Sequence, residues 1–173
     1  EYLKKHLTPE IKAECHRFMN QSRTVNAGVA GRREYGGPKS KEFVQRLGSD
    51  GWLGVGWPKE YGGQGRSPME QHLFFEIIFA ETAPFPVLTL NAMGPTIMAF
   101  GTEQQKKEFL PRILKGDLEI CVGYTEPEAG TDLFSLKTMA LKQGDHYVVN
   151  GQKVFTTIAH IADYVWLAAR TDP

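Results

Sequence analysis

Cysteine is scarce: only Cys15 and Cys121 occur in 173 residues. Neither has a second cysteine or a ligand-spaced histidine nearby. That argues against a disulfide framework or a zinc site and favours a reducing compartment. The five histidines, at positions 6, 16, 72, 146 and 160, fall into no HExxH or comparable spacing. No metal is expected. A surplus of either charge is also missing, since 20 Lys and Arg balance 20 Asp and Glu. Nucleic acid and anionic membrane, which favour a basic face, are therefore not expected as partners. No apolar run approaches the ~20 residues that span a bilayer, so no membrane span is expected. The segment Glu1-Tyr2-Leu3-Lys4-Lys5-His6 lacks the apolar core of a signal peptide. The chain has no initiator Met, and the expectation is a fragment. No internal repeat or low-complexity tract is evident.

What is present divides into two architectures. Thr8-Pro9-Glu10 is a helix start: a hydroxyl cap, Pro at the first helical position, and an acid near the positive end. Lys39 to Leu47 spaces Phe43, Val44 and Leu47 on one face, and Gly48 is expected to stop that helix. A glycine-rich loop follows from Gly51 to Gly65. Ser67 and Glu70 then form a capping box before a helix carrying Leu73, Phe74, Phe75, Ile77, Ile78 and Phe79. This helix is apolar nearly all round, which predicts burial on several sides. Val87 to Phe100 is a further apolar segment that Pro95 should kink or break. Thr102 and Gln105 form a second box, opening a helix that Pro111 should divide and Gly116 should end.

From about Ile120 the period changes. Ile120 to Tyr124, Leu136 to Leu141, His146 to Val149, Gln152 to Thr156 and Tyr164 to Ala169 read as strands. Asn150-Gly151 reads as the two-residue turn of a hairpin. Helices first and strands second predict an α+β chain: an amino-terminal all-helical domain over 1–117 and an incomplete antiparallel β-domain over 118–173. So few strands make a marginal sheet, and the expectation is that the chain ends inside a domain.

Two loops invite a binding reading. Gly62-Gly63-Gln64-Gly65 has the glycines a phosphate loop needs, yet it is neither GxGxxG after a strand nor GxxxxGK[ST]. A tight structural turn between helices is preferred there. The second loop, Tyr124 to Asp132, follows a strand and gathers hydroxyls, acids, Pro127 and Gly130. From its residues alone it is either a binding loop carried on a rigid strand or a turn capped by Thr131 and Asp132.

The second loop, Thr125-Glu126-Pro127-Glu128-Ala129-Gly130-Thr131-Asp132, resembles the T-E-P-G-A-G-S-D signature of acyl-CoA dehydrogenases. Residues 150–163, opening Asn150-Gly151-Gln152-Lys153, resemble that family's second block, N-G-Q-K-x-W-I-S/T-N. Residues 56–63, 101–106 and 110–117 match further blocks in the family's order, so the resemblance runs from about residue 40 to the end. It implies FAD as cofactor, and a carboxy-terminal helical bundle that this chain does not contain. The implied cofactor contacts are Tyr124, Thr125, Glu126, Pro127, Gly130, Thr131, Phe155 and Thr157, with Thr131 also facing the acyl-CoA. Phe155 stands where the family carries a Trp that packs against the flavin ring; a buried strand aromatic filling core is the lesser alternative. Glu128 stands where the family carries a Gly, and a left-handed backbone there would be costly. The family's catalytic base, a Glu, comes from the missing bundle, so no catalytic residue is expected here.

The patterns at 56–67, 95–102 and 162–171 look most like the actinobacterial branch associated with sterol side-chain degradation. The implied activity is α,β-dehydrogenation of an acyl-CoA thioester of a branched or steroid acid. Its implied partners are an electron-transferring flavoprotein and further subunits, as a homotetramer or an α2β2 hetero-oligomer. The implied compartment is the bacterial cytoplasm, or the mitochondrial matrix in a eukaryote. An acyl-CoA oxidase and a non-catalytic partner subunit are the alternatives.

Overall fold

The computed structural model describes residues 1–23 and 37–172. The chain divides into two compact units, Glu1–Glu119 and Ile120–Pro173. The first contains α1 (Tyr2–His6), α2 (Pro9–Arg23), α3 (Pro38–Ser49), α4 (Pro68–Ala80), α5 (Gly94–Phe100) and α6 (Glu103–Leu114).

Local chemistry explains where these helices start. The Ser67 hydroxyl accepts from the Glu70 N–H at 3.3 Å, and the Ser67 N–H donates back to the Glu70 carboxylate at 2.9 Å. Thr102 and Gln105 repeat the arrangement at 3.2 and 2.8 Å. Each box satisfies two amides that the helix itself leaves without partners.

Gly48 does not stop α3, which runs on to Ser49. It lies where the helix meets the end of α6: a Cβ at Gly48 would sit 2.5 Å from the carbonyl carbon of Lys115. Gly48→Ala should therefore destabilise the unit despite alanine's helix preference. The preference is worth ~1 kcal/mol, whereas forcing atoms into a packed contact costs ~1–3 kcal/mol. The check is a urea titration, with a lower midpoint expected at unchanged slope. A raised midpoint would show that the contact yields.

Three other expectations for the helices are corrected. Pro111 does not divide α6, which is continuous through it. Pro111 and Lys107, four residues earlier, are both exposed, so water can take the carbonyl that proline leaves without a donor. Pro95 does not break its helix; the turn before it widens into a π-helix over Thr89–Met93, in which the Gly94 N–H reaches the Thr89 carbonyl. In that register the next amide should serve the Leu90 carbonyl, but residue 95 has none. The Trp57 indole N–H takes its place at 3.2 Å. Finally, α4 is packed on one side only. Phe74, Phe75 and Phe79 gather around buried Phe85 with ring centroids 5.4–6.5 Å apart, and Ile78 is buried. Met69, Leu73 and Ile77, one turn apart, remain 65, 55 and 58% exposed.

The second unit carries β1 (Ile120–Gly123), β2 (Met139–Gln143), β3 (His146–Asn150) and β4 (Tyr164–Leu167). β2 and β3 form an antiparallel hairpin, with Met139 opposite Asn150. β1 and β4 pair in parallel, with Ile120 opposite Tyr164. Parallel pairing requires a long connection, and here some forty residues supply it. Arg170 joins the two pairs: its N–H donates to the Thr138 carbonyl, and its carbonyl accepts from the Ala140 N–H.

The hairpin turn is not at Asn150-Gly151. It is Gly144-Asp145, with Gly144 at φ 66°. Gly151 serves a close approach instead, because a Cβ there would come 2.7 Å from the Cα of Thr138. Residues 152–156 are accordingly not a strand and join no ladder.

Candidate functional site

The site grows out of the end of β1. After Gly123 the chain turns tightly, with reciprocal backbone bonds between Glu126 and Ala129 at 2.8 and 3.2 Å closing the Thr-Glu-Pro loop. Glu128 sits in this turn without a left-handed backbone, so the expected strain at the family's Gly position does not arise. Its carboxylate pairs on the surface with Lys137, an exposed contact that adds little stability.

Residues 153 and 154 lie directly against this loop. The Val154 N–H donates to the Thr125 carbonyl at 2.9 Å. The Lys153 ammonium donates to the Tyr124 carbonyl at 3.0 Å and to Glu126 Oε1 at 2.8 Å. Glu126 is turned inward: its Oε2 accepts from the Lys137 N–H at 2.6 Å and its Oε1 from the Thr138 N–H at 2.9 Å. The side chains of Lys153 and Glu126 are only 11 and 6% exposed.

Beyond this junction the backbone is strained. Phe155 and Ile158 both have left-handed conformations, at φ 55° and 60°. Each costs ~1–2 kcal/mol for a residue with a Cβ, and a β-branched Ile there is a true outlier. Ile158 is buried, and its carbonyl accepts from the N–H groups of Ile161 and Ala162. Phe155, by contrast, is 82% exposed. It is not core filling. Such strain persists only where neighbouring contacts enforce it, and it concentrates at binding sites.

Donors from Lys153 and from two backbone amides hold the Glu126 carboxyl far below its ordinary value of 4.5, at about 2. An acid with a lowered folded pKa stabilises the fold above its unfolded pKa, and that stabilisation fades as the pH falls toward the folded value. Glu126 therefore contributes fully at neutral pH and loses its contribution between about 4.5 and 2. Glu126→Gln should flatten the fall of thermal stability across that window. Melting curves at pH 5, 3.5 and 2.5 provide the check, and parallel loss in both proteins would refute the assignment.

The comparisons with known proteins agree on a family. Residues 8–117 match the model for the acyl-CoA dehydrogenase N-terminal domain, and residues 121–173 match that for the middle domain. The chain belongs to the acyl-CoA dehydrogenase family. It is 51% identical over 170 residues to acyl-CoA dehydrogenase FadE29 of Mycobacterium tuberculosis, covering 96% of this chain and 44% of that protein. With FadE26 of the same organism it shares 57% over 141 residues, covering 81% of this chain and 35% of the relative. Among solved structures, the Tcur3481-Tcur3483 steroid ACAD matches at TM-score 0.77 and 51% identity, over 95% of this chain and 43% of that one. The ChsE4-ChsE5 complex from Mycobacterium tuberculosis matches at TM-score 0.76 and 46%, over 96% and 43%. The chain thus spans less than half the length of these relatives.

Within this acyl-CoA dehydrogenase middle domain, the structure brings Tyr124, Thr125 and Glu126 against the segment that leads into Phe155 and Thr157. Pro127, Gly130 and Thr131 are exposed in the same loop, but no hydrogen bond ties them to residues 152–158. Glu126 presents its carboxylate to the protein rather than to solvent. Lys153 was missed as a site residue, because it follows polar Gln152 in the sequence and no local pattern pairs it with Glu126. Among the described residues no cluster could hold a metal ion, and no helix is long and apolar enough to cross a membrane.

Proposed function

We propose that this chain supplies one wall of the flavin site of an FAD-dependent acyl-CoA dehydrogenase, acting on the CoA thioester of a branched or steroid acid. The junction of the Tyr124–Glu126 loop with Lys153–Val154 carries the reading, because it presents an aromatic face and free donors together. No hydrogen bond within the described residues engages the N–H groups of Gly130, Thr131, Phe155 or Thr157, nor the hydroxyls of Thr125 and Thr157. Phe155 lies open beside them. A planar, apolar ring edged with carbonyls and nitrogens fits such a surface. When bound, FAD would accept a hydride from the substrate's β-carbon. This chain's residues would hold the ring by Phe155 and orient it through preset backbone and hydroxyl donors, which stabilise developing negative charge at little reorganisation cost.

Glu126 is no proton acceptor for this chemistry. Three donors occupy its oxygens, and a carboxylate held at about pKa 2 is a weak base. The base belongs to the part of the protein outside this chain. Steroid substrates, a hetero-oligomeric assembly and a bacterial cytoplasmic setting are supported by the bacterial relatives and by the two-component steroid ACAD among the solved structures. An electron-transferring flavoprotein would take the electrons onward.

The test uses the full-length protein with its partner subunit, kept free of oxygen. A steroid-acid CoA thioester should bleach the oxidised flavin band, whereas butanoyl-CoA should leave most of it. Bleaching by no thioester would overturn the reading. Rapid oxygen consumption after bleaching would replace the dehydrogenase with an oxidase.

A further inference from the structure

Lys153 does more in the structure than neutralise an acid. Its ammonium bonds the Tyr124 carbonyl and Glu126 at once, while the next residue's N–H bonds the Thr125 carbonyl. Glu126 in turn grips the backbone at Lys137 and Thr138, just before β2. Three stretches of chain, 124–126, 137–138 and 153–154, therefore converge on one nearly buried ion pair. Immediately downstream comes Phe155 in its left-handed conformation, and then Ile158, also left-handed, buried and capping its own turn. The residues from Phe155 to Thr157 are suspended between two anchors. On the upstream side the anchor is Lys153 with Val154.

We infer that Lys153, through Glu126 and the Tyr124 carbonyl, is a positioning residue that sets the aromatic wall at Phe155 and the donors at Thr157. This rests on the flavin reading given above. Lys153 does not touch the ring in this account. It holds in place the residues that do, against a backbone conformation that would otherwise relax. The pair suits that task because both partners are nearly out of water, so neither is freely replaced by solvent. Removing the Lys153 ammonium leaves Glu126 with its two backbone donors and cuts both side-chain ties to the loop, so that the Val154 N–H on the Thr125 carbonyl is the bond left to hold residues 153–158 there.

The test compares full-length wild type with Lys153→Met and Lys153→Arg. Hydrogen exchange is followed in the proteins stripped of flavin, and FAD affinity is measured by fluorescence quenching. In Lys153→Met, the amides whose bonds anchor this stretch, that of Val154 on the Thr125 carbonyl and those of Ile161 and Ala162 on the Ile158 carbonyl, should exchange at least tenfold faster, while those of the β2–β3 hairpin keep their wild-type rates. FAD affinity should fall by roughly tenfold or more, the range expected for losing bonds to a charged group. Lys153→Arg, which keeps a cation against Glu126, should recover most of both. Thr157→Ala should weaken FAD binding in wild type and have a much smaller effect in Lys153→Met, since a misplaced hydroxyl has little to lose.

Unchanged exchange at these three anchoring amides would overturn the positioning role whatever happens to the flavin. Faster exchange with unaltered FAD affinity would overturn the link to the flavin wall. Wild-type protein with no measurable FAD affinity would remove the flavin reading itself, and the inference with it. Should Lys153→Met not fold, Lys153→Gln, which retains a donor without the charge, carries the same comparison.

Discussion

Trp57→Ala is expected to destabilise the helical unit by about 3–5 kcal/mol, the range for emptying a core of a large aromatic side chain. Two effects add at this position. The indole is nearly fully buried and fills the space that Gly94 leaves open, where a Cβ would come 2.2 Å from the ring. Its N–H is also the donor for the Leu90 carbonyl, which Pro95 cannot serve. Trp57→Phe separates the two. It keeps most of the ring but leaves a buried carbonyl unpaired, at ~1–3 kcal/mol. Urea titrations of wild type, Trp57→Phe and Trp57→Ala should rank in that order. Equal stability for Trp57→Phe and wild type would mean that the indole N–H has no part in holding the π turn.

Phe155→Ala should behave in the opposite way. An exposed ring contributes little to folding, so the melting temperature should stay within a degree or two of wild type. FAD affinity should nevertheless fall by roughly ten- to a hundredfold, because burying an aromatic face against a ligand is worth ~1.5–3 kcal/mol. Phe155→Trp should bind at least as tightly as wild type, since it restores the family's larger ring. The split between the two measurements is the point: a core aromatic would lose stability first, and a spectator would change neither. Loss of stability without loss of affinity would contradict the account.

The helix boundaries were legible where their causes are local. Ser67 with Glu70 and Thr102 with Gln105 satisfy their own amides within four residues, so a sequence pattern contains the whole interaction. Expectations failed where the cause lies elsewhere in the chain. Gly48 looked like a helix stop, but its reason for being glycine is the backbone of Lys115. Asn150-Gly151 looked like a hairpin turn, but Gly151 yields to Thr138, while Gly144-Asp145 makes the turn. Pro111 sits comfortably inside α6 because its side of the helix faces water, which no local pattern states.

The candidate site follows the same division. Its two segments could be found from their resemblance to family blocks, and the structure places them in contact through Thr125 and Val154. The ion pair behind them was not foreseen. Glu126 reads as one acid in a polar loop and Lys153 as one base in a hairpin arm. Only tertiary structure shows that they meet at 2.8 Å in near-complete burial. The left-handed backbone at Phe155 was likewise invisible, since neither Phe nor its neighbours favour that conformation.

Hydrogen exchange of the full-length protein with and without FAD tests the central claim most directly. Bound flavin should slow exchange at the free amides of Gly130, Thr131, Phe155 and Thr157 together, because all four belong to one wall. FAD binding that leaves these four amides at their apo rates, or that protects only one of the two segments, would contradict it.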